Sequence, residues 1–532
     1  MNTLTATTLA ATAMLYAVPA LLSGAAAPTV NRKPETVNRG GSAAAPNLLV
    51  IITDEHNFRT LGCYRETLPR DQALMWGTTV LETPNLDRIA KAGALCERFY
   101  ATSPVCTPSR GALVSGLYPQ NAGVPRNDLP LKNTCVTFAQ VLKDNGYTTG
   151  YAGKWHLDGS ARPGWTPKRT FGFDDNLYMY NRGHWKKLED TPDGPSVAAR
   201  NAKGAPTYSV AGADEHSFTT DFLTTKAIDF INKNKDRPFC YMLSIPDPHD
   251  PDAVRAPYNT QYKNVAWKLP RTYNATPNGE TAAWYAPEKN AGPSQSQYYG
   301  MIKCIDDNIG RLLATLEKNN LLDNTIIVFT SDHGDMRAEH HRENKNIPLE
   351  ASNRVAFLID YPGKIKPGTR ITDTIGNIDF KPTILALMGV KDTSHNEGRD
   401  MSAPFLGQKH EGKDIIFTRC EFATGWTAAF SGNYKLIIDN ATIWLTDLSK
   451  DPDELRNYAY DPAYAPILKD LSAELLNYME THNDPHLKDT PLGVKFLRDA
   501  AAGTLKRLTP AELTAAQKQY PAKHTATKGN DD

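Results

Sequence analysis

Several segments of this chain are apolar at every position rather than at alternate ones. Asn47–Thr53 (NLLVIIT), Phe239–Ile245 (FCYMLSI) and Thr325–Thr330 (TIIVFT) are such runs, the pattern of strands buried on both faces of a parallel sheet. Between them lie stretches with helical spacing: Pro84–Ala92, opened by a proline suited to a first helical position, Phe138–Asn145, Phe218–Asn232 and Gln297–Asn319. Tyr147–Ala152 reads as a further strand. Strands alternating with helices predict an α/β fold around a large, mainly parallel sheet.

The pattern dissolves into Pro, Gly, Tyr and Trp at 158–213 and again at 250–293. Both stretches read as long insertions over the sheet edge, of the kind that form lids or binding loops. Their aromatics Tyr178, Tyr180, Trp185, Trp267 and Trp284 either pack the insertions down or stack on sugar rings. After about residue 400 the spacing shortens. Ile415–Arg419, Trp426–Ser431, Tyr434–Ile438 and Ile443–Thr446 read as closely spaced strands, with Ser431-Gly432-Asn433 a hairpin turn. A helix over 464–481 follows, so 401–485 is expected to form a smaller antiparallel α+β subdomain beside a catalytic domain at 46–400. The tail, 486–532, is rich in Ala, Lys and Thr and reads as partly mobile.

Composition narrows the partners. Fifty-nine basic residues balance 59 acidic ones, which gives no electrostatic ground for nucleic-acid binding. Met1–Val30 carries no charge, and the apolar run Leu9–Leu22 is followed by Gly24-Ala25-Ala26-Ala27. This predicts a secretory signal at 1–27, a flexible leader at 28–45 and a periplasmic or secreted product with no membrane span once the signal is removed. No Lys or Arg precedes the apolar run, so the alternative is a retained anchor, which Pro19 in a short stretch disfavours. The seven cysteines show no C-x-x-C spacing, so neither a zinc nor a redox site is indicated.

Chemistry collects where strands end. Asn47–Thr53 runs into Asp54-Glu55, the strand near Tyr147 into Lys154-Trp155-His156, the strand near Phe239 toward His249, and Thr325–Thr330 into Asp332-His333. Ligand sites of open parallel sheets form beyond the carboxyl ends of strands, so four separated clusters are expected to converge. Cys106, in Pro104-Val105-Cys106-Thr107-Pro108-Ser109-Arg110, supplies a nucleophile. A helix is expected to begin just after Arg110, placing Cys106 near a helix amino end that favours anions. Asp54, Glu55 and Asp332 are hard oxygen donors suited to calcium or magnesium.

The stretch CTPSRGALVSG (106–116) resembles the signature of type I sulfatases, members of the alkaline phosphatase superfamily, and GYTTGYAGKWH (146–156) resembles that family's other signature. Similar matches are PNLLVIITDEH at the start, Pro246–His249, TSDHGD, Lys345–Glu350 ahead of Arg354-Val355, and WLTDLSKDPDELRNY (444–458). The resemblance spans about residues 46–482, with Ser115 standing where relatives usually carry Thr. It implies an alkaline-phosphatase-like fold and a sulfuric ester hydrolase acting on a sulfated sugar or glycan. A maturation enzyme would oxidise Cys106 to formylglycine. It favours Ca²⁺ over Mg²⁺, and adds His333, often Asn in relatives, to a metal set of Asp54, Glu55, Cys106 and Asp332. It further implies that Arg110 orients the nucleophile, that Lys154 and Lys345 bind sulfate oxygens, that His156 assists collapse of the hydrated aldehyde, and that His249 protonates the leaving alcohol. His340 falls at a substrate-contact position. A phosphonate or phosphate ester hydrolase of the same superfamily and an inactive glycan-binding homologue are the readings left open.

Overall fold

A computed structural model describes residues 45–522 apart from 278–281, 286, 288–291, 293 and 422–424. The signal and nearly all of the leader expected at 1–45 lie outside the described residues. The central sheet has eight strands: β1 (Asn47–Thr53), β2 (Ala94–Tyr100), β3 (Thr148–Lys154) and β4 (Asp175–Tyr180). After a hairpin of β5 (Leu188–Thr191) and β6 (Gly194–Val197), it continues with β7 (Phe239–Ile245), β8 (Thr325–Ser331), β9 (Phe357–Asp360) and β10 (Thr369–Gly376). Their order is β10-β2-β9-β8-β1-β7-β3-β4. Every neighbouring pair is parallel except those of β9, which runs antiparallel to β2 and β8.

The apolar runs of β1, β7 and β8 are buried at every residue because helices cover both sheet faces. One face packs on Leu113, Val114, Phe138, Leu142 and Ile384; the other packs on Leu86, Ile89, Phe222, Leu223, Ile305 and Leu312. β1 lies between β7 and β8 with their ends level, Thr53 pairing with both Ile245 and Ser331. That alignment brings three carboxyl ends to one rim.

The second sheet is antiparallel, in the order β11 (Ile416–Cys420), β12 (Trp426–Ser431), β13 (Tyr434–Ile438) and β14 (Ile443–Asp447). Gly432, at φ 56°, forms with Asn433 the two-residue turn between β12 and β13. The helix Ala465–Thr481 packs on this sheet through Leu468, Leu471 and Leu475.

Two expectations need correction. The first insertion is not structureless, since it supplies the sheet-edge strand β4 and the β5–β6 hairpin. Of the insertion aromatics, Tyr180, Trp185 and Trp284 are buried and serve packing. The tail forms the helices His486–Asp489, Pro491–Ala502 and Pro510–Gln519, and Leu492, Val494, Phe496 and Leu497 join the core of the second sheet. All seven cysteines are buried. Among the described residues, no helix is long and apolar enough to cross a membrane.

Candidate active site

The strands that end in reactive residues are four consecutive neighbours in the sheet, β8, β1, β7 and β3. Asp332-His333, Asp54-Glu55, Asp247 to His249, and Lys154 therefore sit along a single rim. Lys154 is the last residue of β3 and follows Gly153, whose φ of 107° leaves no room for a side chain: a Cβ there would lie 1.8 Å from the Ser244 carbonyl oxygen of β7. Lys154 Nζ lies 2.6 Å from Asp54 Oδ2.

Cys106 is the first residue of the helix Cys106–Ser115, so the helix begins ahead of Arg110 rather than just after it. Pro108 falls in the first turn, where a missing N–H costs nothing because the first turn's N–H groups have no intrahelical partner. The helix thus presents its positive end at Cys106 itself. The sulfur lies 3.1 Å from His333 Nε2, 3.6 Å from Asp54 Oδ1 and 3.7 Å from Lys154 Nζ. Burial and the Asp54 carboxylate push this thiol up, but Lys154, Lys345 and His333 overcome them and hold it well below the usual thiol range.

Arg110 is the keystone of the rim. Its Nε donates to Asp332 Oδ2 at 2.8 Å, one terminal nitrogen to Asp54 Oδ2 at 3.1 Å, and the other to the Lys154 carbonyl and Ser244 Oγ at 2.7 and 2.8 Å. With these donors committed to the protein, Arg110 acts on Cys106 through its charge and by fixing the two aspartates. Arg110→Ala would leave two buried carboxylates facing each other, and is expected to destabilise the fold by about 3–5 kcal/mol. Urea unfolding followed by fluorescence measures that loss; an unchanged midpoint would remove the keystone role.

The ligand atoms of Asp54, Cys106, Asp332 and His333 all lie within 4.8 Å of one another, a spread that a cation with oxygen ligands at about 2.3–2.6 Å can bridge. Burial and the neighbouring Asp54 push the Asp332 carboxyl up against His333 and Arg110, whereas burial of Asp54 is outweighed by Lys154 and Arg110, which hold it well below the usual range. Burial lowers and the Asp332 and Cys106 charges raise His333, which ends at about 9. The two carboxylates and the spacing fit a hard divalent cation, with His333 an unusual nitrogen partner for one, able to bind only as the neutral ring. Glu55 stands one step aside. At φ 58° it turns its Oε2 to His249 Nε2 at 2.8 Å and Lys345 Nζ at 3.0 Å, while its buried Oε1 has no hydrogen-bond partner among the described residues. Lys345 and His249 are themselves 2.8 Å apart. Burial disfavours the charged form of His249, yet Glu55 raises it well above the usual range.

Two expected residues lie differently. The carbonyl of His156 accepts from Thr107 Oγ1 at 2.8 Å, which ties it to the first turn of the Cys106 helix, but its ring pairs with Asp128 at 3.2 Å. His340 turns away: its ring meets the Tyr285 hydroxyl and its backbone N–H donates to Thr272 Oγ1, against the side of the molecule that carries Trp444. The structure also adds His184, which sequence reasoning missed. It is 5 % exposed, its Nε2 is 2.6 Å from Lys154 Nζ, and its ring stacks on His249 with centroids 3.5 Å apart.

The sequence is similar to that of sulfatases. The Sulfatase family model matches residues 46–390, and the model described as N-sulphoglucosamine sulphohydrolase, C-terminal, matches 338–481. The chain is 32 % identical over 463 residues to the ulvan-active sulfatase of Formosa agariphila, covering 83 % of each protein. It is 26 % identical to the N-acetylglucosamine-6-O-sulfatase of Bacteroides thetaiotaomicron, covering 84 % of this chain and 89 % of that one. A solved structure in complex with its substrate D-glucosamine-2-N,6-O-disulfate superposes with a TM-score of 0.67 at 22 % identity, covering 83 % of this chain and 99 % of that one.

Proposed function

The chain belongs to the sulfatase family, and from that premise we propose that it releases inorganic sulfate from a sulfated carbohydrate, using a formylglycine made from Cys106 beside a Ca²⁺ ion, with Mg²⁺ the alternative. The observation that carries this reading is the convergence on Cys106 Sγ of His333, Asp54 and Lys154, at 3.1, 3.6 and 3.7 Å. The sulfur marks where the oxygens of the modified side chain would stand. Two sugar-directed relatives, one named for ulvan and one for an N-acetylglucosamine 6-sulfate, support a carbohydrate substrate. A signal-bearing, exported chain is the form in which such an enzyme would meet its maturation enzyme and its glycan.

Asp54, Asp332, His333 and the oxidised Cys106 would hold the cation, with the unpartnered Oε1 of Glu55 a further donor. When bound, the cation offsets the charge that sulfate brings among buried carboxylates and draws electron density from its oxygens. A hydrated aldehyde supplies two hydroxyls on one carbon, one to attack sulfur and one to expel sulfate by collapse, where a lone hydroxyl would leave a stable ester. Lys154 and Lys345 are the fixed positive groups for the sulfate oxygens, placed before the reaction rather than recruited during it. His249, kept protonated by Glu55, is the donor for the departing alcohol, and Asp128 orients His156 to take a proton as the diol collapses.

The test is the relative rate on matched esters by protein co-expressed with a maturation enzyme. With 4-nitrophenyl sulfate, 4-nitrophenyl phosphate and a phenylphosphonate monoester, kcat/KM is expected to favour the sulfate by at least about tenfold, since the sulfate monoester carries less charge into a site that already holds three carboxylates. A panel of defined sulfated mono- and oligosaccharides then identifies the sugar. Faster phosphate or phosphonate cleavage would overturn the reading, as would the absence of turnover on every sulfate ester by fully matured protein.

A further inference from the structure

His184 enters the rim from a segment that sequence pattern left unassigned, and its placement is built locally. The chain leaves β4 at Tyr180 and turns through Asn181-Arg182-Gly183-His184-Trp185. Gly183 has φ 116°, and a Cβ on it would sit 2.4 Å from the Trp185 ring, so the turn requires glycine. The Trp185 indole N–H closes the turn on the Arg182 carbonyl at 3.1 Å. Trp185 is buried in the core, and His184 is thereby aimed at Lys154.

An ammonium has three protons to place. For Lys154, Asp54 Oδ2 takes one at 2.6 Å, His184 Nε2 takes the second at 2.6 Å, and the remaining direction faces Cys106 Sγ at 3.7 Å. Because Nε2 accepts, the neutral ring of His184 carries its proton on Nδ1, which has no hydrogen-bond partner among the described residues. Burial, reinforced by His249 and Lys154, holds His184 well below the usual histidine range. A neutral acceptor suits this position: a carboxylate there would cancel the lysine charge that sulfate needs, and an apolar residue would free the ammonium to rotate. The same ring lies flat on His249, 14° from parallel, so one side chain braces two members of the rim.

We infer that His184 is a positioning residue of the active site, a neutral Nδ1–H imidazole that accepts from Lys154 through Nε2 and so points the third ammonium proton at the reacting centre. The inference rests on the proposed sulfatase reaction only for its kinetic consequence. His184→Phe keeps the stack on His249 but removes the acceptor, and is expected to lower kcat/KM on the best sulfate ester about 10- to 100-fold. His184→Gln restores an acceptor and should return to within about fivefold of wild type. In a Lys154→Met background, His184→Phe should change kcat/KM by less than about threefold, because its effect passes through Lys154. A purely structural role would instead give losses that multiply in the double variant, and that result, or a Gln variant as damaged as Phe, would overturn the assignment.

A readout independent of turnover separates this inference from the reaction itself. In ¹⁵N-histidine-labelled protein, the ring signals of His184, assigned by their loss in His184→Phe, should report a proton on Nδ1 and a bare Nε2, and Lys154→Met should abolish that fixed tautomer. A proton on Nε2 in the wild-type protein would contradict the inference whatever ester the enzyme cleaves.

Discussion

Cys106→Ala should abolish sulfate release, with a loss of at least about 10⁴-fold, while the protein still folds. Removal of a nucleophile that works as part of a unit costs about as much as removal of the whole unit. Arg110 cannot replace it, since it is committed to Asp54 and Asp332. The fold should survive because Cys106 opens a helix, where alanine is well tolerated, and because deletion of one sulfur atom leaves only a small cavity. Ion chromatography of released sulfate measures the first outcome, and a thermal melt within a few degrees of wild type measures the second. Wild-type-like turnover in this variant would refute the nucleophile assignment.

Removal of the divalent cation is expected to have a comparable effect on turnover and a larger one on stability. Asp54, Asp332 and Glu55 are buried, and burial and the neighbouring Asp54 push the Asp332 carboxyl up against His333 and Arg110, a repulsion that a bound cation would relieve. Exhaustive dialysis against a chelator should bring turnover to background, and Ca²⁺ should restore it. Because the ion binds the folded state, the melting temperature should climb with free Ca²⁺, reaching a stabilisation of about 2.7 kcal/mol at a hundredfold excess over its dissociation constant. A chelated protein that metal analysis shows to be metal-free, yet turns over unchanged, would exclude the cation from the reaction.

The parts of this molecule that could be read in advance share a physical cause. β1, β7 and β8 are buried on both faces, so their apolar runs are uninterrupted and their ends well marked. β2 escapes the pattern because Glu97 and Arg98 interrupt it, and Glu97 pairs across the sheet edge with Arg370. β10 carries Arg370 and Asp373 on a half-exposed strand, and β9 is only four residues long. For the tail, composition misleads. Thr509 and Glu512 form a capping box on the helix Pro510–Gln519, a local signal that the abundance of Ala and Lys obscures.

The site divides along the same line. Asp54, Lys154 and Asp332 were legible because each terminates or follows a strand whose direction the apolar run reveals, and a parallel sheet sends those ends to one side. His184 was not, because its turn lies in an insertion without periodicity and depends on Gly183 and Trp185 meeting in space. His340 shows the converse: position along the chain suggested the site, but a left-handed backbone at φ 55° turns its ring to Tyr285. The helix opens at Cys106 rather than after Arg110 because Pro108, usually a break in a helix, occupies its first turn, where the missing N–H is tolerated.

Turnover depends most on what Cys106 becomes. The decisive measurement is a mass spectrum of the proteolytic peptide spanning Pro104 to Arg110, taken from preparations with and without a co-expressed maturation enzyme, beside their sulfate-releasing activity. Turnover should rise in proportion to the fraction of that peptide in which an aldehyde has replaced the thiol. Full turnover by protein whose Cys106 remains an unmodified thiol would contradict it.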